Sequence, residues 1–473
     1  MSLERLAAGC LLPGFAGARA PDWVLRRIEG GLGGVVLFAR NVSEELPLLC
    51  AELGDVLIAI DEEGGDVTRL EAERGSSYPG NLALGAVDDV GLTERVAAAI
   101  GGDLRAVGVN VNLAPVADAN TNPQNPIVGV RSFGSDPELV ARHVGAFVRG
   151  LQGVGVAACA KHFPGHGDTS GDSHLELPTV AGDLEAALLP FRAAVEAGTR
   201  CIMPGHLLVP ALDPERPASL SGRIVGDLLR GELGFDGCVI TDALEMKAVS
   251  ATVGIEESAV GALEAGADGL CLGADVDDEL TERVHRAIVE STRAGRLDPG
   301  RLEEAASRVA SAAPDPGASH VTGTGSSAGA EAARRAVRTT GHVEVRGAPF
   351  VLICRTEPSI AAGDVGFDFA DAARAVWPEA TVSYVCQETA VPGTGQAPVV
   401  LVLRDGARFA WQRELAERVL AARPDAIVVE TGLPGRLPEG AATVTTYGAG
   451  RANLDAAVAA LAQRREAADA MPS

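Results

Sequence analysis

VAACAKHFPG, residues 156–165, is an apolar run that stops at a lysine, a histidine and a Pro-Gly break. A run apolar at every position suits a parallel strand buried on both faces, and its charged end marks where such a strand meets solvent. Seven other stretches read the same way: GCLLPGF (9–15), GGVVLFAR (33–40), VLIAIDEEGG (56–65), VNVNLAPVAD (109–118), RCIMPGH (200–206), GCVITDALEM (237–246) and ADGLCLGAD (267–275). Helical patterns such as DLEAALLPFRAAVEAG (183–198) lie between them. Eight strand–helix units in succession predict an α/β chain built on a (β/α)8 barrel. The alternative is an open doubly wound sheet, but no GxGxxG fingerprint follows the first strand.

At 473 residues the chain is longer than one core usually supports, about 250–300 residues, so two domains are expected. Residues 1–310 read as the barrel. The segment 311–333, opening SAAPDPGASHVTGTGSSAGA, has almost no large apolar side chains and reads as a linker. Residues 334–473 then resume the alternation, with PFVLIC (349–354), PVVLVLRDG (398–406) and DAIVVETG (425–432) as parallel strands beside helices such as WQRELAERVLAAR. They predict a smaller α/β sandwich.

The net charge of −24 repels a phosphate backbone, and no basic run offsets it locally, so a nucleic-acid partner is not expected. Eight cysteines are scattered singly without a CxxC pair, which reads as buried thiols in a reducing compartment. LAAGC (6–10) superficially resembles a secretory or lipoprotein signal. Only five residues precede it, Glu4 and Arg5 among them, and Pro13 interrupts the apolar run behind it, so a first barrel strand is the better reading. No stretch reaches the roughly 20 apolar residues of a membrane span. A cytoplasmic location without membrane partners is the expectation.

Active sites of such barrels sit at the C-terminal ends of the strands. Asp61, Asp118, Lys161, His162, His206 and Asp242 all fall there. Asp242 ends GCVIT and begins ALEM, the place of a catalytic carboxylate or, alternatively, of a helix N-cap. Beyond Lys161 the chain continues HFPGHGDTSGDSH to His174. His162, His166, Asp168, Asp172 and His174 are conceivable ligands of a divalent metal, yet Pro164 and Gly165 break the helical i, i+4 histidine pair of HExxH sites. No metal or other cofactor is expected. Acid–base work is the competing reading: Asp172, two residues from His174, orients one ring nitrogen and raises its pKa, so that His174 delivers a proton near neutral pH. The bland alternative is a carboxylate–histidine pair that merely orders the loop. Lys161, Arg69 and Arg131 with Asp61 suit a polyhydroxylated ligand held by charge-assisted hydrogen bonds. Each alone reads as a surface ion pair.

IDEEGGDVTRL (60–70), RSFGSDP (131–137), KHFPGHGDT with DSHLELP (161–178) and PASLSGRIVGDLLRGELGFDGCVITDALEM (217–246) together resemble glycoside hydrolase family 3. Their order and spacing resemble its bacterial β-N-acetylglucosaminidase branch, over about residues 9–275. The resemblance implies a retaining mechanism with Asp242 as nucleophile and His174, tuned by Asp172, as general acid/base. It also implies that Asp61, Arg69, Arg131, Lys161 and His162 bind a terminal N-acetylglucosamine of a cell-wall muropeptide or chito-oligomer. Two positions depart from the family pattern: Glu62 stands where glutamine is frequent, and Ala243 where aspartate is. One variant is phosphorolysis, because family members with a histidine acid/base use phosphate as acceptor, and a base that is neutral when deprotonated repels that anion less. A non-catalytic sugar-binding protein is the alternative from another class, and the intact Asp242, His174 and Asp172 speak against it.

Overall fold

The computed structural model describes residues 1–171, 177–314, 327–356, 362–363, 366–387, 393 and 395–463. Eight short parallel strands come first: β1 (Leu11–Pro13), β2 (Gly34–Leu37), β3 (Leu57–Ile60), β4 (Val111–Asn112), β5 (Ala157–Phe163), β6 (Cys201–Pro204), β7 (Cys238–Val239) and β8 (Leu270–Gly273). Helices follow each of them, so the domain is a (β/α)8 barrel. Strands β2 to β7 form one continuous ladder and β1 pairs with β8, while a bridge between Ile240 and Gly269 links β7 to β8. At the seam between β1 and β2, Gly33 N–H donates to Ala8 O at 3.0 Å. Glycine is required there, since a Cβ at Gly33 would sit 2.2 Å from Gly9 O.

Alternation along the strands builds two apolar layers. Ile58, Ile60, Ala158, Ala160, Ile202, Val239, Leu270 and Leu272 point outward into the core shared with the helices. Their neighbours Leu57, Ala59, Val111, Ala157, Cys159, Cys201, Met203, Cys238 and Cys271 fill the interior. Each buried branched side chain contributes about 1.5–3 kcal/mol. Cys159, Cys201, Cys238 and Cys271 put one interior thiol on each of β5 to β8; seven of the eight cysteines are buried and Cys386 is exposed. Aspartates start many of the outer helices: Asp89, Asp136, Asp183, Asp277 and Asp298 each accept a first-turn N–H.

The second domain is a six-stranded sheet in the order β11-β10-β12-β13-β14-β9. Its strands are β9 (Arg338–Thr340), β10 (Phe350–Cys354), β11 (Thr381–Val385), β12 (Val399–Leu403), β13 (Ile427–Glu430) and β14 (Ala442–Thr445). All are parallel except β9. Val351, Val400, Val402 and Val429 pack under helices Phe369–Val376 and Arg451–Leu461, while Leu352, Leu401 and Val428 pack under Ala410–Ala422 on the other face. This is a sandwich of helices around a sheet. Of the segment read as a linker, residues 315–326 lie outside the described residues and Ser327–Ala336 is a helix.

That helix and the sandwich dock on the loop that follows β3. Gly366 N–H donates to Ala72 O (2.8 Å) and Ala452 N–H to Ser76 O (3.0 Å). Arg451 donates to Glu71, Gly75 and Ser77. Among the described residues no helix is long and apolar enough to cross a membrane.

Candidate active site

The barrel brings its charged strand ends to one mouth. Asp61 follows β3, Lys161 and His162 lie near the end of β5, His206 lies just beyond β6, and Asp242 lies three residues beyond β7. Lys161 Nζ is 2.5 Å from Asp61 Oδ1 and 2.7 Å from Glu63 Oε1. Glu63 in turn accepts a forked pair from Arg131, Nε at 2.9 Å and Nη2 at 2.7 Å. Arg69 Nη2 stands 3.8 Å from Asp61 Oδ2.

Three cations thus share two carboxylates in a nearly dry place, with Lys161 and Glu63 side chains 3% and 2% exposed. Burial opposes the charge on Lys161, but Asp61 and Glu63 outweigh it and hold the ammonium above its ordinary value. Burial likewise opposes ionisation of Glu63, and Arg131 and Lys161 outweigh it, keeping the carboxyl well below the usual range. Lys161 and Glu63 therefore stay charged at any physiological pH. Charge-assisted donors and acceptors fixed this way suit the hydroxyls of a sugar better than a mobile surface pair would.

A second group is organised by Asp118, which is fully buried. One oxygen lies 2.8 Å from His162 Nδ1; the other accepts the backbone N–H of His162 (3.2 Å) and of His166 (2.7 Å). With Nδ1–H donated to Asp118, the His162 ring is held in one orientation. His166 is structural: its Nδ1 meets Thr169 Oγ1 at 2.6 Å, and burial pushes its pKa down to about 4, so the ring is neutral.

Asp242 is half-buried, and its Oδ1 accepts the N–H of Ala243 at 2.8 Å. It caps no helix, since the next one, Lys247–Ser250, starts after Met246. His206 supports this turn. Its Nε2–H donates to Ala243 O at 3.0 Å while Nδ1 meets Ser219 Oγ at 2.7 Å. Asp242 and Asp61 both follow the C-terminal ends of parallel barrel strands, and, after burial, both carboxylates push up the Cys271 thiol.

The description "Glycosyl hydrolase family 3 N terminal domain" matches residues 29–312. The chain belongs to glycosyl hydrolase family 3. It is an enzyme of that family, and curated relatives at about 35% identity are β-hexosaminidases. It is 35% identical over 314 residues to the β-hexosaminidase of Bordetella avium (strain 197N), an alignment that covers 62% of this chain and 89% of that protein. Against β-hexosaminidase A of Pseudoalteromonas piscicida the identity is 34% over 315 residues, and the chain spans about half that protein's length, 52%. The whole fold is similar to a solved family 3 β-N-acetylglucosaminidase from Paenibacillus sp. str. FPU-7, with a TM-score of 0.85 and 32% identity over 98% of this chain and 97% of that one.

In this family 3 chain the structure unites Asp61, Arg69, Arg131 and Lys161 in one network, with His162 and Asp242 at the same mouth. Asp172 and His174 lie outside the described residues. The residues on either side of them are held: Asp168 accepts from Ala181 N (2.8 Å) and Gly182 N (2.5 Å), and Asn125 donates to His166 O (2.7 Å) and Thr169 O (3.0 Å). Sequence reading alone overlooks Glu63, the buried carboxylate on which Arg131 and Lys161 converge. Its signal is the acidic triplet Asp61-Glu62-Glu63 at a strand end, more charge than one sugar contact needs. It also overlooks the supporting roles of Asp118 and His206, although both stand at strand ends.

Proposed function

We propose that this protein is a retaining exo-β-N-acetylglucosaminidase. The observation that carries the proposal is the placement of Asp242 at the same barrel mouth as the ion network of Asp61, Glu63, Lys161 and Arg131. The network, with Arg69 and His162, holds the terminal N-acetylglucosamine. The Asp242 carboxylate attacks the anomeric carbon as His174 gives a proton to the departing glycosidic oxygen. A covalent glycosyl-enzyme forms and the aglycone leaves. His174, now a base, takes a proton from water, which displaces Asp242 with net retention. Asp172 orients and tunes His174. A retaining pair of this kind works across about 5–5.5 Å.

The division into residues 1–310, 311–333 and 334–473 belongs to the same reading, with the chemistry on the first part. The thiol-lined barrel interior supports a cytoplasmic setting, where wall-derived muropeptides carry the terminal sugar.

The test is release of p-nitrophenol from the β-N-acetylglucosaminide and the β-glucoside, with and without phosphate, for the wild type and Asp242→Ala. Selective turnover of the N-acetyl sugar that disappears in Asp242→Ala, with a first-formed β-anomer by NMR, is the expected result. Sugar 1-phosphate appearing only with phosphate would make the enzyme a phosphorylase, and unchanged turnover in Asp242→Ala would remove the nucleophile. Chito-oligomers and muropeptides compared as substrates identify the aglycone.

A further inference from the structure

The loop after β3 carries two of the sugar-binding candidates, Asp61 and Arg69, and between them it folds back on itself. Glu63 N–H donates to Val67 O at 3.0 Å, and Gly64 and Val67 pair as an antiparallel bridge. Asp66 stands at the tip. Its side chain is 7% exposed, and both oxygens are taken by the second domain: Arg404 Nη2 bonds Oδ2, and Ala449 N–H donates to Oδ1 at 2.7 Å.

Arg404 is itself rigidly mounted at the end of β12. Gln412, fully buried, accepts the Arg404 N–H at 2.7 Å and donates to its carbonyl at 2.8 Å. The next two N–H groups, of Asp405 and Gly406, both donate to Glu430 at 3.0 Å. The tip is also gripped through its backbone. A Cβ on Gly450 would lie 2.8 Å from Gly65 Cα, and one on Gly65, whose φ is +61°, would lie 2.5 Å from Gly80 Cα. Three residues past the tip, Arg69 Nη1 donates to Ala362 O of the second domain at 3.3 Å. A guanidinium on a braced strand end therefore holds the tip of the hairpin that connects Asp61 to Arg69.

We propose that Asp66 and Arg404 are positioning residues for the sugar subsite, setting Arg69 against Asp61 across the domain seam. This rests on the reading of Asp61 and Arg69 as sugar-binding residues. The second domain then serves the reaction by fixing a barrel loop, and substrate affinity rather than the bond-breaking step is what it controls.

The experiment is steady-state kinetics of the full chain on the aryl β-N-acetylglucosaminide for Arg404→Gln, Arg69→Gln, their double variant, and Arg335→Gln. The last breaks a pair with Asp89 elsewhere on the domain seam and serves as the docking control. Arg404→Gln is expected to raise KM about tenfold with a much smaller change in kcat, as loss of uniform binding does. The double variant is expected to match Arg69→Gln alone, and Arg335→Gln to keep the wild-type KM. An unchanged KM in Arg404→Gln, multiplying effects in the double variant, or an equal rise in Arg335→Gln would each overturn the proposal. If Arg69→Gln itself leaves KM unchanged, the assignment of the sugar site fails instead. Should Arg404→Gln not fold, Asp66→Asn, which keeps the acceptor for Ala449 N–H, takes its place with the same expectations.

Discussion

Replacing Glu62 by glutamine should stabilise the protein, and the gain should grow with pH. Glu62 is 3% exposed, and its Oε2 accepts the N–H groups of Arg69 (2.8 Å) and Leu70 (2.9 Å). Burial outweighs those bonds and one from Thr68, raising the carboxyl from its ordinary 4.5 to about 7. In the unfolded chain the group ionises near 4.5, whereas the folded protein keeps the proton until about 7. The stability Glu62 contributes is therefore fully present below pH 4.5, declines as pH rises, and is lost above about 7. At about 1.4 kcal/mol per pKa unit the interval amounts to about 3.5 kcal/mol. Glutamine matches the protonated shape, its single amide oxygen can take both N–H groups, and it does not titrate. Urea denaturation followed by circular dichroism, variant against wild type at about pH 5 and pH 8, cancels every other titrating group. A free-energy difference that is the same at both pH values would refute the reasoning.

The neighbouring glutamate should behave in the opposite sense. Glu63→Gln is expected to cost about 3–5 kcal/mol near pH 7, because it weakens the partner of the buried Arg131 and Lys161. Its deficit should shrink as acid protonates the wild-type carboxylate, whose stabilising effect is present above 4.5 and lost as pH falls; a deficit that holds into acid would count against the buried network. Asp118→Asn should lower kcat/KM about 10- to 100-fold on the aryl β-N-acetylglucosaminide by loosening His162, and wild-type kinetics would deny Asp118 that part. Gly450→Ala should weaken domain docking by about 1–3 kcal/mol, since only backbone lies opposite the new methyl, and calorimetry should show the domains unfolding earlier or apart. An unaltered thermogram would mean that the seam yields.

The barrel was legible because strands buried on both faces leave unbroken apolar runs, and because strand ends are where a barrel places charge. The interior ladders are shorter than those runs, however. Strands β4 and β7 hold only two residues each, and beyond them GCVIT and VNVNLAPVAD pair through isolated bridges, Ile240 with Gly269 and Val116 with Lys161. The polar strands of the sandwich left little trace: β9 is exposed throughout, and in β11 only Val385 is buried. A strand at a sheet edge has no need of an apolar pattern. Charged candidates at strand ends could be named from the sequence, but their partners could not. Arg131 meets Glu63 across 68 positions and Arg404 meets Asp66 across 338, and no local spacing encodes such pairings.

The distribution of thiols gives the molecule a built-in stopwatch. Cys386 lies open on the second domain, while Cys159, Cys201, Cys238 and Cys271 are enclosed by the cylinder and are poor thiolates: burial raises Cys159 and Cys271, the hydrogen bond from Cys201 and burial raise Cys238, and in Cys201 burial and neighbouring charge outweigh the lowering by that same bond. A maleimide dye added to the native protein would attach at Cys386 alone, a single-colour tag that needs no engineered cysteine. Further equivalents would enter only as buried thiols open, Cys354 with the sheet of the second domain and the interior thiols as the staves of the barrel part. The lag before the adducts at Cys159, Cys201, Cys238 and Cys271 would measure how long the cylinder stays shut, and peptide mapping would tell which stave opens first.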